Sequence, residues 1–259
     1  MKKLTLVSGL IVLFAGILIY GCKKESLEPG TQPGSSINVT SSTISSNYSW
    51  VGELHNKSLE EIGKLNDFPD VTAQQVDSTI EVTMENSPHV VDSLDPSFLP
   101  ELRNSELDYI SSNSYDNIVD DLKNSSSISS DVATKLYELE NIVDSSNTLN
   151  EALDGLNSFE SEIESSDNFS DKEKTGIIGS SIIARYSLTF WNLAINDTEN
   201  NWHTFIITET GGSDEFPSIF GRTFRDVRGF VRAFFDHSGK IKERIDKGKS
   251  WSTVLSGPK

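Results

Sequence analysis

The stretch from Ile177 to Ile195 constrains the fold most, because it is apolar on nearly every side. A helix of this kind lies inside a protein or crosses a membrane, whereas a surface helix keeps one polar face. Ser170 and Glu173 have the spacing of a capping box that starts a helix. Arg185, in the middle of the run, makes a membrane span costly. We therefore predict that residues 170–195 form the central buried helix of a mainly α fold.

Several further segments carry apolar residues at helical spacing. One buried helical face is predicted within residues 130–145 by intervals of four, three and four among Val132, Leu136, Leu139 and Val143. Ser58 and Glu61 have capping-box spacing and predict a helix start. Short Ser-rich connections favour antiparallel neighbours in a helical bundle. The helices predicted outside the central one cover residues 58–66, 72–85, 96–111, 115–123, 130–145 and 148–164.

Residues 196–219 interrupt this helical pattern. Thr204–Thr208 fits a short strand, and Gly211-Gly212 fits a turn. The prediction is an antiparallel helical bundle, with one short β-hairpin near residues 203–211 as its exception.

The segment that begins at Phe220 has two contrasting faces. Its apolar face consists of Phe224, Val227, Val231 and Phe234, and an opposite arc carries Arg222, Arg225, Arg228 and Arg232. Such a helix either lies on an anionic membrane surface or docks on an acidic helical body with its arginines outward. Docking is the favoured interpretation, because ordinary packed helices show the same periodicity. The face is thus a candidate membrane or partner surface.

The N-terminus has the layout of a secretory signal peptide over residues 1–21. Lys2 and Lys3 precede an uncharged, largely apolar run. Ile19, Gly21 and Cys22 then resemble the lipobox of bacterial lipoproteins, although Tyr20 departs from the small residue usual there. The resemblance implies cleavage after Gly21 and covalent lipid, palmitate included, on Cys22, with no other cofactor. Cys22 is the only cysteine, so an intramolecular disulfide is impossible.

The sequence predicts a flexible tether after the lipid anchor, followed by a single domain. Residues 22–48 are rich in Ser, Thr, Pro and Gly, a composition typical of flexible spacers. A single α-helical domain is predicted over residues 49–259. Its body, residues 49–219, is acidic and its C-terminal helices, residues 220–259, are basic. Lys23 stands where an aspartate would resemble an inner-membrane retention signal, which favours the outer membrane within the cell envelope.

Charge argues against one class of partner. The whole chain has a formal net charge of −17, and an acidic body is unsuited to nucleic acid. The partners expected are the membrane, through the lipid anchor, and an unknown envelope protein.

Short motifs resemble a group of uncharacterised bacterial lipoproteins with bacteriocin-like C-termini. Gly52 to Asn56 with Leu59 look like that group's G-x-x-H-N-x-x-L opening. Ser187–Trp191, Trp202 and the Asp226–Gly229 run fit its second half. The relatives often finish in a Gly/Ala-rich helix pair, whereas this chain departs from the pattern there with Arg228, Arg232, Phe234 and Phe235. The resemblance implies no established activity.

Catalytic motifs are mostly absent from the sequence. The four histidines lack metal-ligand spacing, so no metal site is predicted. His55 and Asn56 are the pocket candidates, although Asn56 also fits a helix cap. Ser78 and Ser93 lie in Asp-Ser/Thr-apolar patterns that resemble O-glycosylation sites.

These observations favour a non-enzymatic, membrane-anchored lipoprotein that binds a partner or stabilises an envelope assembly. The alternative is a membrane-active or antagonistic protein that acts through the basic amphipathic C-terminal helix.

Overall fold

Ten α-helices packed against one another make up the part of the chain that the computed structural model describes, residues 43–89, 106–209, 219–236 and 241–256. No strand occurs in those ranges, which confirms the predicted mainly α fold. The helices are α1 (Thr43–Gly63), α2 (Ala73–Glu85), α3 (Leu107–Ser112), α4 (Tyr115–Asn124), α5 (Ser130–Asp144), α6 (Leu149–Ser165), α7 (Asp171–Asn196), α8 (Asn201–Glu209), α9 (Phe220–Asp236) and α10 (Ile241–Ser256). None of the described helices combines the length and apolar character that a membrane crossing needs.

Helix α7 is the centre of the fold, as predicted. Ser170 caps it, and the reciprocal bonds of a capping box with Glu173 are both present. All ten residues from Thr175 to Ala184 are buried, and beyond them one side of the helix is partly exposed, with Leu193 50% exposed. It contacts α1, α5, α6, α8, α9 and α10. The apolar character of the sequence run therefore reflects a helix enclosed by other helices.

Hydroxyl side chains start several of the surrounding helices. Thr72, Ser114, Ser129 and Thr148 each accept a hydrogen bond from a backbone N–H in the first turn. These caps explain why the starts of α2, α4, α5 and α6 agree with the sequence prediction within one residue. Of the helix predicted at 96–111, residues 107–111 are helical and residues 96–105 lie outside the described part.

Helix α1 begins earlier than predicted. It starts at Thr43, so the last six residues of the predicted tether are helical and the domain begins before residue 49. Ser58 lies inside this helix and donates from Oγ to the carbonyl oxygen of Leu54. The predicted capping box at Ser58 is therefore wrong, because a Ser side chain in a helix interior can bond to the preceding turn instead.

The hairpin arm suggested near residues 203–211 is wrong where the structure describes it, because α8 occupies residues 201–209. Trp202 and Ile206 are four residues apart and both are buried, which is helical periodicity. The Trp202 indole Nε1–H donates to the carbonyl oxygen of Leu59 at 3.0 Å. The Asn201 amide donates to that of Gly63 at 2.5 Å. The start of α8 thus satisfies carbonyl groups at the end of α1.

The C-terminal half of the fold differs from expectation in one helix. The apolar face of α9, with Phe224, Val227, Val231 and Phe234, is buried in the domain core. The docking interpretation matches this position, but the arginines do not all face outward, because Arg222 is buried as well. Helix α10 lies within the predicted C-terminal helices, residues 220–259, for which no separate bounds follow from the sequence, and it packs on α1, α2, α7 and α9.

Candidate functional site

Three stretches that are far apart in the sequence meet at one buried centre. His55 and Asn56 come from α1, Ser187 and Trp191 from α7, and Thr223 and Asp226 from α9. We call these six residues the buried polar cluster. Four of the motifs that carry the lipoprotein resemblance contribute to it or border it. The sequence pattern singled out His55 and Asn56, but it did not indicate that Ser187 and Asp226 would join them.

Close helix packing brings the stretches together. Gly52 of α1 lies against the Tyr186 ring of α7, where an added Cβ would stand only 2.2 Å from a ring carbon. Gly176 of α7 meets the Phe234 ring of α9 in the same way. A larger residue at either glycine would push the two helices apart. The positions of the polar side chains therefore depend on these two contacts.

Asp226 is the acceptor at the middle of the cluster. Its Oδ2 accepts from the Ser187 hydroxyl at 2.6 Å and from the Trp191 indole Nε1–H at 3.1 Å. The same oxygen lies 3.4 Å from His55 Nε2. The Ser187 hydroxyl also lies 3.4 Å from that of Thr223. One carboxylate oxygen thus joins α7, α9 and α1.

Asn56 sets the proton position on His55. The Asn56 Nδ2 group donates to the backbone oxygen of Tyr186 at 2.9 Å, so its Oδ1 is the acceptor that faces His55 Nδ1 at 3.0 Å. Nδ1 therefore carries the proton in the neutral ring, and the Nε2 lone pair faces Asp226. Asn56 is an interior residue of α1, so its predicted role as a helix cap is wrong.

Burial shifts both ionisable groups toward their neutral forms. It lowers the pKa of His55 to about 4, opposed by the Asn56 hydrogen bond and assisted by the charge of Lys249. It raises the pKa of Asp226 to about 7, opposed by the bonds from Ser187 and Trp191 and by the charges of Arg222 and Arg225. Between these two values a proton on Asp226 can point at the bare Nε2 of His55.

Five of the six residues of the cluster are buried, and Asn56 is half-buried. His55, Ser187, Thr223 and Asp226 are each 0% exposed. One hollow of about 490 Å³ lies elsewhere among the described residues and is lined by Ser127, Lys172 and Phe235, among others. The cluster can hold a proton and fix three helices, and its ionisable groups, His55 and Asp226, have no solvent-exposed surface.

A second buried charged group ties α1, α6 and α7 together. The Glu160 carboxylate accepts from Arg185 Nε at 2.9 Å and from a terminal nitrogen of the same guanidinium at 3.3 Å. Ser181 donates to it at 2.8 Å and Ser45 at 2.5 Å. Arg185 also donates to the Ser45 hydroxyl. The arginine that made a membrane span costly thus pairs with a carboxylate of a neighbouring helix.

The remaining predicted site residues do not form a common site. Arg225, Arg228 and Arg232 of α9 are half-buried, and Arg228 donates to the backbone oxygen of Asn113. Ser78 is exposed on α2. Gly21, Cys22 and Ser93 lie outside the described residues. Within the described ranges, no group of three or more His, Cys, Asp or Glu side chains is placed to hold a metal ion.

The fold and the cluster define a mainly α domain with a buried polar centre. No known protein-family model, curated protein or solved structure matches this chain.

Proposed function

We propose that this protein is a membrane-anchored bacterial lipoprotein whose helical domain binds a partner or stabilises an assembly in the cell envelope, without catalysing a reaction. One observation carries the non-enzymatic part of the proposal. The polar groups that converge, His55, Ser187 and Asp226, are fully buried; Ser187 donates to Asp226, and His55 Nε2 lies 3.4 Å from the same carboxylate oxygen. A catalytic set must reach a substrate atom within hydrogen-bond distance, and groups enclosed in this way serve the packing of helices instead.

The anchor follows from the N-terminal pattern. The lipobox resemblance rests on Ile19, Gly21 and the single Cys22. Position 23 is lysine and not the aspartate of an inner-membrane retention signal, which favours the outer membrane. Acyl chains on Cys22 would hold the protein stably at a membrane surface.

The charge of the middle helices suggests where a partner would bind. Residues 106–170 hold fifteen Asp and Glu residues against two Lys, and most of these acids are exposed or half-buried. A surface of one sign speeds association with a partner of the opposite sign. We therefore infer that the envelope partner presents a basic surface to α3–α6.

Metabolic labelling with a palmitate analogue tests the anchor. Wild-type protein should take up label and fractionate with membranes, whereas the Cys22→Ala variant should lose the label. Ser26→Ala, four residues further along the chain, is the matched control and should behave as wild type. Label retained by Cys22→Ala would contradict the proposal.

Protease treatment of intact cells tests the orientation and directs the search for the partner. Cleavage on intact cells would place the domain outside the cell, and surface partners would then be sought. Protection until lysis would place it in the periplasm, and crosslinking would then be used to find an envelope partner there. Crosslinks should concentrate on α3–α6, and crosslinks confined to other helices would contradict the acidic-surface inference.

The alternative function, membrane activity through α9, requires that helix to leave the core. Its apolar face packs against α7 and α10 instead of facing solvent. Flotation with anionic lipid vesicles separates the two functions. The unlipidated Cys22→Ala protein should stay unbound, and tight vesicle binding that is lost with Arg225→Ala and Arg228→Ala would favour the alternative.

A further inference from the structure

The hollow of about 490 Å³ lies where the start of α5, the start of α7 and the end of α9 meet. Its volume falls within the range of small-molecule sites, roughly 300–1,000 Å³. Ile128 and Phe235 supply the apolar part of its lining. The polar lining residues are Ser126, Ser127, Ser129, Ser170, Lys172 and Glu173. The hollow therefore combines apolar contact with charged and hydroxyl groups.

The Glu173 carboxylate is already engaged by the protein. Its Oε2 accepts from the Ser170 backbone N–H at 2.9 Å and from the Ser170 hydroxyl at 2.7 Å. Its Oε1 accepts from the Ser129 hydroxyl at 3.3 Å. Burial acts to raise the pKa of Glu173, but the bonds from Ser170 and Ser129 and the charge of Lys172 lower it. This carboxylate and the two hydroxyls therefore join the start of α5 to the start of α7.

Lys172, the neighbour of Glu173, is the lining residue whose charge is not answered. It is half-buried, and its ammonium group makes no hydrogen bond or ion pair with the described residues. Burial lowers the pKa of Lys172, and the charge of Arg244 lowers it further, whereas Glu173 raises it. An ammonium that has lost part of its hydration gains from an anion that replaces the lost water.

Arg244 of α10 brings a second positive charge close to Lys172. Its side chain is buried and donates to the backbone oxygen of Phe234 at 2.8 Å. The effect of this charge on Lys172 is larger than that of Glu173. Asp131 and Asp171, in the first turns of α5 and α7, are exposed and do not line the hollow. The electrostatics at Lys172 therefore favour an anionic ligand over a neutral or cationic one.

We propose that this hollow binds a small soluble molecule through its phosphate group, with the Lys172 ammonium as the main contact. A phosphate monoester carries a charge of about −1.5 to −2 near neutral pH and has three acceptor oxygens, so it can accept from Lys172 and from the exposed Ser126 hydroxyl together. The starts of α5 and α7 at the same hollow add to the preference for an anion. The body of the ligand packs on Ile128 and Phe235.

An NMR titration of the backbone amides of the full mature chain tests the proposal. The probes are inorganic phosphate, phenyl phosphate and acetate. Both phosphates should produce saturable shifts confined to residues 126–129, 170–173 and 235. Phenyl phosphate should bind more tightly than inorganic phosphate, because its ring adds apolar contact. Acetate should bind more weakly than either, because it offers fewer oxygens and less charge.

Lys172→Met removes the ammonium group and keeps a side chain of similar length. It should weaken the binding of phenyl phosphate about tenfold, because a charge-assisted hydrogen bond is lost. Lys123→Met is the matched control, since Lys123 is exposed, lies three residues before Ser126 and does not line the hollow. This control should keep the wild-type affinity, and the amide spectra show that both variants are folded.

Equal weakening by Lys172→Met and Lys123→Met would overturn the proposal, because binding would then be a general attraction to surface charge. The proposal also fails if the phosphates give no saturable shifts, or if acetate binds as tightly as inorganic phosphate. Vesicles of phosphatidylcholine with phosphatidic acid separate a lipid headgroup from a soluble molecule. They should not displace phenyl phosphate, and displacement would overturn the assignment to a soluble ligand.

Discussion

Two buried carboxylates that contact α7, Glu160 and Asp226, differ in the partners that surround them. At Glu160 and Arg185 the side chains of opposite charge are in direct contact, and Ser45 and Ser181 donate two further hydrogen bonds to a carboxylate that is only 3% exposed. In the buried polar cluster, Asp226 meets neutral donors and a histidine, and burial raises its pKa to about 7. A buried carboxylate that contacts a cation and several donors is favoured in its charged form, whereas a buried carboxylate with fewer partners is favoured in its neutral form. Each centre joins α1 to α7, so the comparison can be tested by substitutions in either.

The largest effect is expected from Glu160→Ala, which leaves the Arg185 guanidinium partly buried without its partner. Loss of one member of a buried pair costs about 3–5 kcal/mol of unfolding free energy, and Ser45 and Ser181 lose an acceptor too. Urea denaturation measures the loss. The double variant Glu160→Leu/Arg185→Met is the control and should recover most of it. A single-variant loss below about 1 kcal/mol would contradict the view that this pair is charged.

Asp226→Ala should cost less, about 2–4 kcal/mol, because the groups left without an acceptor are the neutral Ser187 hydroxyl and Trp191 indole. Urea denaturation at pH 6, where Asp226 is mostly protonated, measures this effect. An equal loss for Asp226→Ala and Glu160→Ala would remove the distinction between the two centres.

The pH dependence of stability sharpens the same comparison. The pKa of Asp226 is raised to about 7, so its contribution to stability is present at low pH and is lost as pH rises from about 4 to 7. The pKa of His55 is lowered to about 4, so its contribution changes in the opposite direction between about pH 4 and 6.5. Removing the Asp226 contribution should therefore make the stability of Asp226→Asn fall less, or rise more, with pH in that window than the stability of wild type does. Urea midpoints of both proteins from pH 4 to 8 measure the difference, and identical pH dependence would show the assignment to be wrong.

Gly52→Ala tests whether both centres need the same close approach of α1 to α7. The added Cβ would meet the Tyr186 ring at 2.2 Å, and overpacking of this kind typically costs about 1–3 kcal/mol. Thermal unfolding gives the size of the effect. Gly221→Ala is the control, because a Cβ at Gly221 has open space around it, and it should leave stability unchanged or slightly higher. Equal effects of the two substitutions would contradict the close-approach argument.

The smallest effect is expected from Asn56→Ala. It removes a hydrogen bond to the Tyr186 carbonyl and one to His55 Nδ1, at a cost of about 1 kcal/mol. Because the Asn56 bond raises the pKa of His55 against burial, the variant should lower that pKa further. Titration of the imidazole by NMR gives the result, and an upward shift would show that Asn56 does not hold the proton on Nδ1.

The sequence predicts the fold better than the site, for physical reasons. The Ser170 capping box and the stripe from Val132 to Val143 are local patterns, and both correspond to the observed α7 and α5. The bounds of α10 within residues 220–259 do not follow from the sequence, because many of its buried residues, such as Ser250, Ser252 and Thr253, are polar and carry no apolar period. The α8 segment was read as a strand arm because its threonines and isoleucines favour strands, whereas Trp202 fixes it on α1.

The buried polar cluster could be foreseen only in part. His55-Asn56 is a recognisable pair, but residues 55, 187 and 226 are brought together by helix packing that no local pattern encodes. Gly52 opens the G-x-x-H-N-x-x-L run, and Gly176 begins a stripe of small residues with Ser180, Ala184 and Ser187 that favours close approach of another helix. Neither pattern tells which helix comes close.

The hydrogen bonds at the start of α1 also have a mechanical consequence. Ile44 N–H donates to Glu164 and Ser45 donates to Glu160, so the first turn of the domain is fastened directly to α6. Any tension in the chain ahead of Thr43 enters the domain at that turn. The Glu160–Arg185 pair would then resist separation of α1 from α6 under that tension. Single-molecule stretching from the N-terminus should therefore find a lower rupture force in Glu160→Ala than in wild type.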